Sequence, residues 1–338
     1  MLGIGIFVIP PEIAEYAQQT PLFLSLWLLG GVIAFAGADA FSELGAAYPK
    51  AGGDFTFQQR AFGASMAFAT GCVLFLGVFG GSIAAVAVPI WEFQVSMLTG
   101  IDGRAPLFSF SGITLSTAQF GAAMLVVALT LINCTQSRNW AGLQIGLTVT
   151  PLFLLICLAL FSLGSTEVTA EAPATTFETH VSVSGLVSAY VGIYFAYSGW
   201  NAVIYLAGEV KSPERTIPVS LIGGTVLVTC LYLLLCWSFV ATLGMEGLAK
   251  SGEAGSAMAA KISPAYGEPI MGLLIACALL ASLNASIMGG ARIAYAMSKS
   301  GVFPNLFATV HPESKQPVKA LLFQSVWVLL LIISGTFH

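Results

Sequence analysis

Apolar runs long enough to cross a lipid bilayer follow one another along almost the whole chain, and no other feature restricts the fold as much. A membrane-spanning helix needs about 20 mostly apolar residues. A half-length run covers roughly residues 2–17, and full runs follow at roughly 22–48, 65–98, 115–134, 140–164, 183–207, 217–243, 266–298 and 318–337. The runs at 65–98 and 266–298 are long enough to tilt strongly. Only 8% of the 338 residues are charged, against about a quarter in a soluble domain, so most of the surface has lipid as its solvent. The pattern predicts an all-α polytopic membrane protein with one partial and eight full spans.

The formal net charge is −4, with no basic face for nucleic acid and no acidic block. Cys72, Cys134, Cys157, Cys230, Cys236 and Cys277 lie almost entirely within apolar runs and form no C-x-x-C pair. They read as small buried hydrophobes rather than as a disulfide or metal framework. His180, His311 and His338 lie in loops or at the end of the sequence, so no metal or cofactor is expected. The opening MLGIGIFVIPPEIAEYAQQ is apolar from its first residue. It lacks the basic n-region of a cleavable signal and reads as the second half of a spanning helix.

Lys and Arg concentrate in cytoplasmic loops. If the first segment runs outward, the inner loops and helix ends carry Lys50, Arg60, Arg138, Lys211, Arg215, Arg292, Lys299, Lys315 and Lys319, and the outside carries Arg104, Lys250 and Lys261. The expected outer loop STEVTAEAPATTFETH has neither Lys nor Arg, which agrees with that orientation.

Two stretches are too rich in glycine and proline for ordinary helix: GIGIFVIPP at 3–11 and FAYSGWN at 195–201, in the middle of the sixth span. In lipid, every backbone N–H and C=O must find a partner, so a break belongs where protein, water or a ligand meets the freed groups. A lone glycine in a membrane helix is more often a packing notch. A pair of breaks in the first and sixth spans is the placement expected of inverted repeats with a substrate site at their midpoint.

Five strings, in order, resemble the amino acid–polyamine–organocation superfamily and, within it, the L-amino-acid transporter-like branch. They are GIGIF (3–7), ELGAAYPKAGGDFTFQQRAFG (43–63), FAYSGWNAVIYLAGEVKSPERTIP (195–218), NASIMGGARIAYAMSKSGVFP (284–304) and HPESKQPVKALLFQ (311–324). The resemblance implies a leucine-transporter-type 5+5 inverted repeat, here incomplete, running from the second half of helix 1 to about helix 9. Residues 1–164 would form the first repeat, 165–182 an extracellular loop and 183–338 a partial second repeat. It also implies secondary transport of amino acids by alternating access, as permease or exchanger, in a cell membrane of bacterial inner-membrane type.

An amino acid offers a carboxylate and an ammonium at fixed separation. The positive end of a helix half attracts the first, so the backbone N–H groups around Ile4, Gly5 and Ile6 are expected to receive it, with glycine allowing close approach. The family commonly has a small polar residue where this chain has Ile4, a departure that removes a hydroxyl and adds bulk. The ammonium is expected at the carbonyls of Phe195, Ala196 and Ser198. By resemblance, Phe195 is an aromatic lid and Asn201 a polar residue near the amino group. Trp200 reads as a packing anchor, and Tyr197 is left open.

Among the charges, Asp39 and Glu43 are gating or structural candidates; Asp39 reads either as a proton-linked carboxyl or, the favoured reading, as a partner of Arg60 or Arg292. Glu12 and Glu15 are expected to line an outer vestibule and Glu92 to sit at the outer end of the third span. Glu209, Lys211, Glu214 and Arg215 form a charged inner loop, either simply solvated or part of an inner gate. Some family members carry a lysine in helix 5, but the run at 140–164 has no Lys or Arg. Sodium ligation would need helix 1 carbonyls with hydroxyls such as Ser282 and Ser286. Proton coupling, sodium coupling and substrate exchange all stay open.

Two rival readings remain beside transport. One is a membrane-embedded module, truncated, that binds or senses amino acids without carrying them. The other is an intramembrane enzyme, which H-E-x-x-H or G-x-S-x-G would favour; neither motif occurs.

Overall fold

The computed structural model describes residues 2–110, 113–135, 137–165 and 183–335. Among these residues, apart from short 3-10 turns at Ala207–Glu209 and Asn305–Ala308, twelve helices and one hairpin follow in order: α1 (Gly5–Ala17), α2 (Thr20–Ala47), α3 (Asp54–Phe62), α4 (Ala64–Thr99), β1 (Pro106–Phe110), β2 (Ile113–Ser116), α5 (Thr117–Asn133), α6 (Ser137–Ser165), α7 (Val183–Ala196), α8 (Ala202–Tyr205), α9 (Pro213–Ala249), α10 (Ala254–Ile262), α11 (Gly267–Lys299) and α12 (Val318–Ser334). Five stretches are long and apolar enough to cross a membrane: α2, α4, residues Gln144–Gly164 of α6, α9 and α11. Shorter apolar helices lie at α5, α7 and α12. The fold is all-α and polytopic, as the apolar runs predict. The expected outer loop at 166–182 lies outside the described residues.

The short elements between spans were not foreseen. Helix α3 precedes α4, the β1–β2 hairpin pairs antiparallel, and α10 sits between α9 and α11. Helix α4 holds two π-helical stretches, Val73–Phe79 and Ile90–Val95. The second starts directly after Pro89, which has no N–H to continue the α-helical ladder. Helix α9 leaves helical geometry at Gly244, where φ is 72°.

The residues pack into two compact units. The first comprises 1–38, 148–200 and 222–278. Here α1 runs antiparallel to α7 along a seam of small residues. Gly5 meets Ala196, Ile9 meets Gly192 and Tyr16 meets Gly185, positions where an added Cβ would come within about 3 Å of its neighbour. Removing Cβ atoms lets the two backbones approach, which is how membrane helices gain contact energy without a hydrophobic driving force. Three buried rings sit at the end of α7. Tyr232 stands edge-on to Trp27 at 5.8 Å, and Tyr197 tilts against Tyr232 at 4.9 Å.

The second unit comprises 39–147, 201–221 and 279–338. Its helices are joined by side chains that answer otherwise unmatched polar groups. Ser116 and Gln119 form a reciprocal cap at the start of α5. The Gln119 amide also donates to the carbonyl of Ile332 in α12 at 2.8 Å. The Trp327 indole of α12 donates to the carbonyl of Leu76, inside the first π-stretch of α4, at 2.9 Å. A buried amide relay links three helices: Asn133 of α5 donates to Asn284 of α11 at 2.7 Å, and Asn284 donates to Gln144 of α6 at 2.7 Å.

Candidate functional site

Two backbone interruptions were expected, and the structure draws them differently. The first is shorter than predicted. Helix α1 is continuous from Gly5 and carries Pro10 and Pro11 inside it, so only residues up to Ile4 stand outside. Proline lacks an N–H, so the carbonyls of Ile6 and Phe7 receive no helical bond from positions 10 and 11. The seam against α7 holds the helix despite that loss. Ile4 occupies the N-cap with helical angles (φ −65°, ψ −24°) and no side-chain cap. The first helical acceptor is its carbonyl, which takes N–H bonds from Phe7 at 2.9 Å and Val8 at 3.2 Å. The amides of Ile4, Gly5 and Ile6 therefore precede the ladder and make no backbone bond among the described residues.

The second interruption lies where the sequence placed it. Helix α7 stops at Ala196 and α8 starts at Ala202. Gly199 turns the chain between them with φ 89°, a conformation that favours glycine. The Phe195 carbonyl accepts the Ser198 N–H at 3.0 Å. The Ala196 carbonyl accepts the hydroxyl of Tyr232 at 2.9 Å. The carbonyl of Ser198 has no donor among the described residues.

The two interruptions meet inside the first unit. A Cβ built on Gly5 would lie 2.7 Å from the Ala196 Cα and 2.8 Å from its Cβ. Free amides at the start of α1 thus stand beside the end of α7 and the carbonyls that follow it. Sequence reasoning left open how this gap is held. Tyr197, buried, donates its hydroxyl to the carbonyl of Trp27 at 3.0 Å, and Tyr232 holds Ala196 from α9. Trp200 packs against Gly37 of α2, where an added Cβ would meet its indole at 2.8 Å.

The other expected residues are distributed as follows. Ile6 is fully buried, with none of its surface open to solvent. Phe195 is 66% exposed, its ring edge-on to Tyr194 at 6.2 Å. Asn201 opens the second unit and donates to the hydroxyl of Tyr205 at 3.5 Å. Tyr205 in turn donates to the Asp54 carboxylate. Burial pushes Asp54 above the ordinary carboxylate range, and the bond from Tyr205 opposes that shift. Glu15 lines a cavity of about 350 Å³ in the first unit with Gln18, Glu246 and Lys250.

The expected pairing of Asp39 is not what the structure contains. Asp39 is exposed, and Arg292 is instead bound to Glu209 at 2.6 and 3.1 Å. Arg60 lies over the ring of Tyr48 at 5.5 Å. Asp39 is exposed in the last turns of α2, whereas Arg292 is buried and needs a partner that reaches it. Glu43 and Arg215 are exposed and form no ion pair among the described residues. Glu92 is paired with Arg104 at 2.5 Å. Ser286 donates to the Ser282 carbonyl one turn back, at 3.0 Å.

An all-α chain with several helices long and apolar enough to cross a bilayer defines a multi-pass membrane protein. The chain belongs to the amino acid permease family, whose profile it matches over residues 1–337. It is 25% identical to the large neutral amino acids transporter small subunit 2 of Mus musculus, over all of this chain and 63% of that protein. It is also 25% identical to the serine/threonine exchanger SteT of Bacillus subtilis, over 98% of this chain and 73% of that one. A third relative is the chloroplastic cationic amino acid transporter 7 of Arabidopsis thaliana, 25% identical over 98% of this chain and 58% of its own length. The chain thus spans less than two thirds of the length of the first of these relatives.

Proposed function

We propose that the protein is a secondary transporter that carries an amino acid across a cell membrane by alternating access. The observation that carries this reading is the approach of Gly5 to Ala196, which sets unbonded amides of α1 beside the interrupted end of α7. The substrate carboxylate would take the N–H groups of Ile4, Gly5 and Ile6, favoured by the positive end of α1. The ammonium would meet the carbonyls of Phe195, Ala196 and Ser198. That of Ser198 has no donor among the described residues, and that of Ala196 keeps one lone pair after accepting Tyr232. Phe195 would cover the substrate, and Asn201 would contribute a polar group as the chain leaves the gap.

The relatives' names support the substrate class, since they speak of large neutral amino acids, of serine and threonine, and of cationic amino acids. Their spread leaves the side chain carried by this protein open, and with it exchange as against proton or sodium coupling. An inverted repeat with 1–164 as its first half and 183–338 as a partial second half belongs to the same reading. So do inner-gate roles for Asp39, Glu43, Glu209 and Arg215.

The test is uptake of a panel of radiolabelled amino acids into proteoliposomes, with and without pH and sodium gradients. Saturable uptake that needs both a free carboxylate and a free amine on the substrate is the expected result. Saturable binding with no uptake under any gradient or counter-substrate would replace transport with a binding or sensing role.

A further inference from the structure

A cavity of about 660 Å³ lies in the second unit, and the transport reading uses only Glu209 of its lining residues. Three lysines from separate elements converge on it. Lys50 comes from the turn after α2, Lys299 from the last residue of α11, and Lys315 from the turn before α12. Arg292 and Glu209 are also among its lining residues. Glu209 is already committed to Arg292 through both carboxylate oxygens. None of the three lysines has a carboxylate partner among the described residues. The cavity therefore carries three exposed ammonium groups without a carboxylate partner among the described residues, one of them, Lys299, lying over the ring of Tyr295 at 5.9 Å.

The turn that presents Lys315 is built, not loose. The His311 N–H bonds the Gln316 carbonyl at 2.9 Å, and the Lys315 N–H bonds the His311 carbonyl at 3.0 Å. The Gln316 side chain accepts a bond from Arg292 at 3.0 Å. Lys315 itself is held at φ 58°, a left-handed conformation that a side chain adopts only at a cost. A lysine needed only to fix membrane orientation could sit anywhere on the inner side. Nothing in that role requires three of them to share one cavity, one in a strained backbone.

We propose that this cavity is a binding site for a phosphate-bearing anion, gripped by Lys50, Lys299 and Lys315. A concave surface lined with one sign of charge focuses its field and raises the local concentration of counter-ions. Ammonium groups suit phosphate as mobile point charges. Gln59 and Tyr295 on the same wall add polar groups. The phosphate could belong to an anionic lipid headgroup or to a soluble ion, since the recognition chemistry is the same.

The experiment measures binding of inorganic phosphate to the full chain in neutral detergent by calorimetry. Native mass spectrometry then follows binding of phosphatidylglycerol and of phosphatidylcholine. The triple variant Lys50→Ala/Lys299→Ala/Lys315→Ala should weaken phosphate binding by about tenfold or more, because charge-assisted contacts are lost. The matching triple change to Arg should retain binding. Lys319→Ala, at an exposed lysine outside the cavity, should leave it unchanged. Phosphatidylglycerol retained by wild type, lost from the triple Ala variant and displaced by phosphate identifies a headgroup. Phosphate binding without phosphatidylglycerol binding identifies a soluble anion. The proposal is overturned if wild type binds neither, or if the triple Ala variant binds both as wild type does.

Discussion

Arg292 is 1% exposed, whereas Glu209, which it grips through two oxygens, has 47% of its side chain in the open. The pair is therefore unequal. Removing the carboxylate leaves a buried guanidinium without its counter-charge, and breaking a buried pair in that way costs about 3–5 kcal/mol. Removing the cation leaves a carboxylate that water can reach. Glu209→Ala should accordingly lower thermal stability more than Arg292→Met, an apolar change of similar length. Unfolding curves of the two variants in the same detergent check the order. Equal losses would mean that the ion pair does not anchor Arg292.

Glycines 3 and 5 make a matched pair for the first helix. A Cβ at Gly5 would meet the backbone of Ala196 at 2.7 Å, whereas one at Gly3 meets nothing within 4 Å. A backbone atom cannot rotate away, so Gly5→Ala must push α1 off α7 at a cost of about 1–3 kcal/mol. Gly3→Ala should be tolerated in stability. If the site lies where proposed, Gly5→Ala also reduces uptake severely, because the amides of α1 move with the helix. Uptake and melting temperature of the two variants, measured side by side, test this.

Phe195 allows function to be separated from stability. Its ring is 66% exposed, so truncation removes little packing and should change stability by no more than about 0.5 kcal/mol. As a lid over the substrate, however, its loss should raise the apparent KM for uptake by about tenfold, the equivalent of roughly 1.4 kcal/mol of binding. Phe195→Ala that melts like wild type and transports with unchanged KM would remove the residue from the site.

Much of this architecture is visible in the sequence because lipid imposes a minimum length on any apolar helix. The runs at 22–48, 65–98 and 266–298 correspond closely to α2, α4 and α11. The gap at 197–201 is visible too, since Gly199 interrupts a span with a turn that lipid would not tolerate unaided. The extent of the first irregular stretch is not. Pro10 and Pro11 suggest a break, and only the neighbouring α7 seam shows why the helix survives them. The partner of Arg292 is equally hidden, because Glu209 lies 83 residues away and is one of several acidic candidates. Asp54 offers no signal of its own, since its burial comes from chain segments far from it in sequence.

Asp54 yields the pH prediction. Burial raises its carboxyl above 3.8, and the hydrogen bond from Tyr205 partly offsets the rise. A folded-state pKa above the unfolded one means that the native state holds the proton more tightly. Stability from this group is then complete below pH 3.8 and is lost as pH climbs through the raised value toward neutrality. Asp54→Asn cannot ionise, so its melting temperature should gain on wild type as pH rises across that window. Tyr205→Phe removes the bond that favours the carboxylate, so its own loss should continue to higher pH. At neutral pH it should reach about 1.5–3 kcal/mol, the usual worth of a hydrogen bond to a charged group. Melting curves of the three proteins from pH 4 upward decide the matter. If the wild-type and Asp54→Asn curves run parallel, Asp54 does not titrate in the fold as its burial requires.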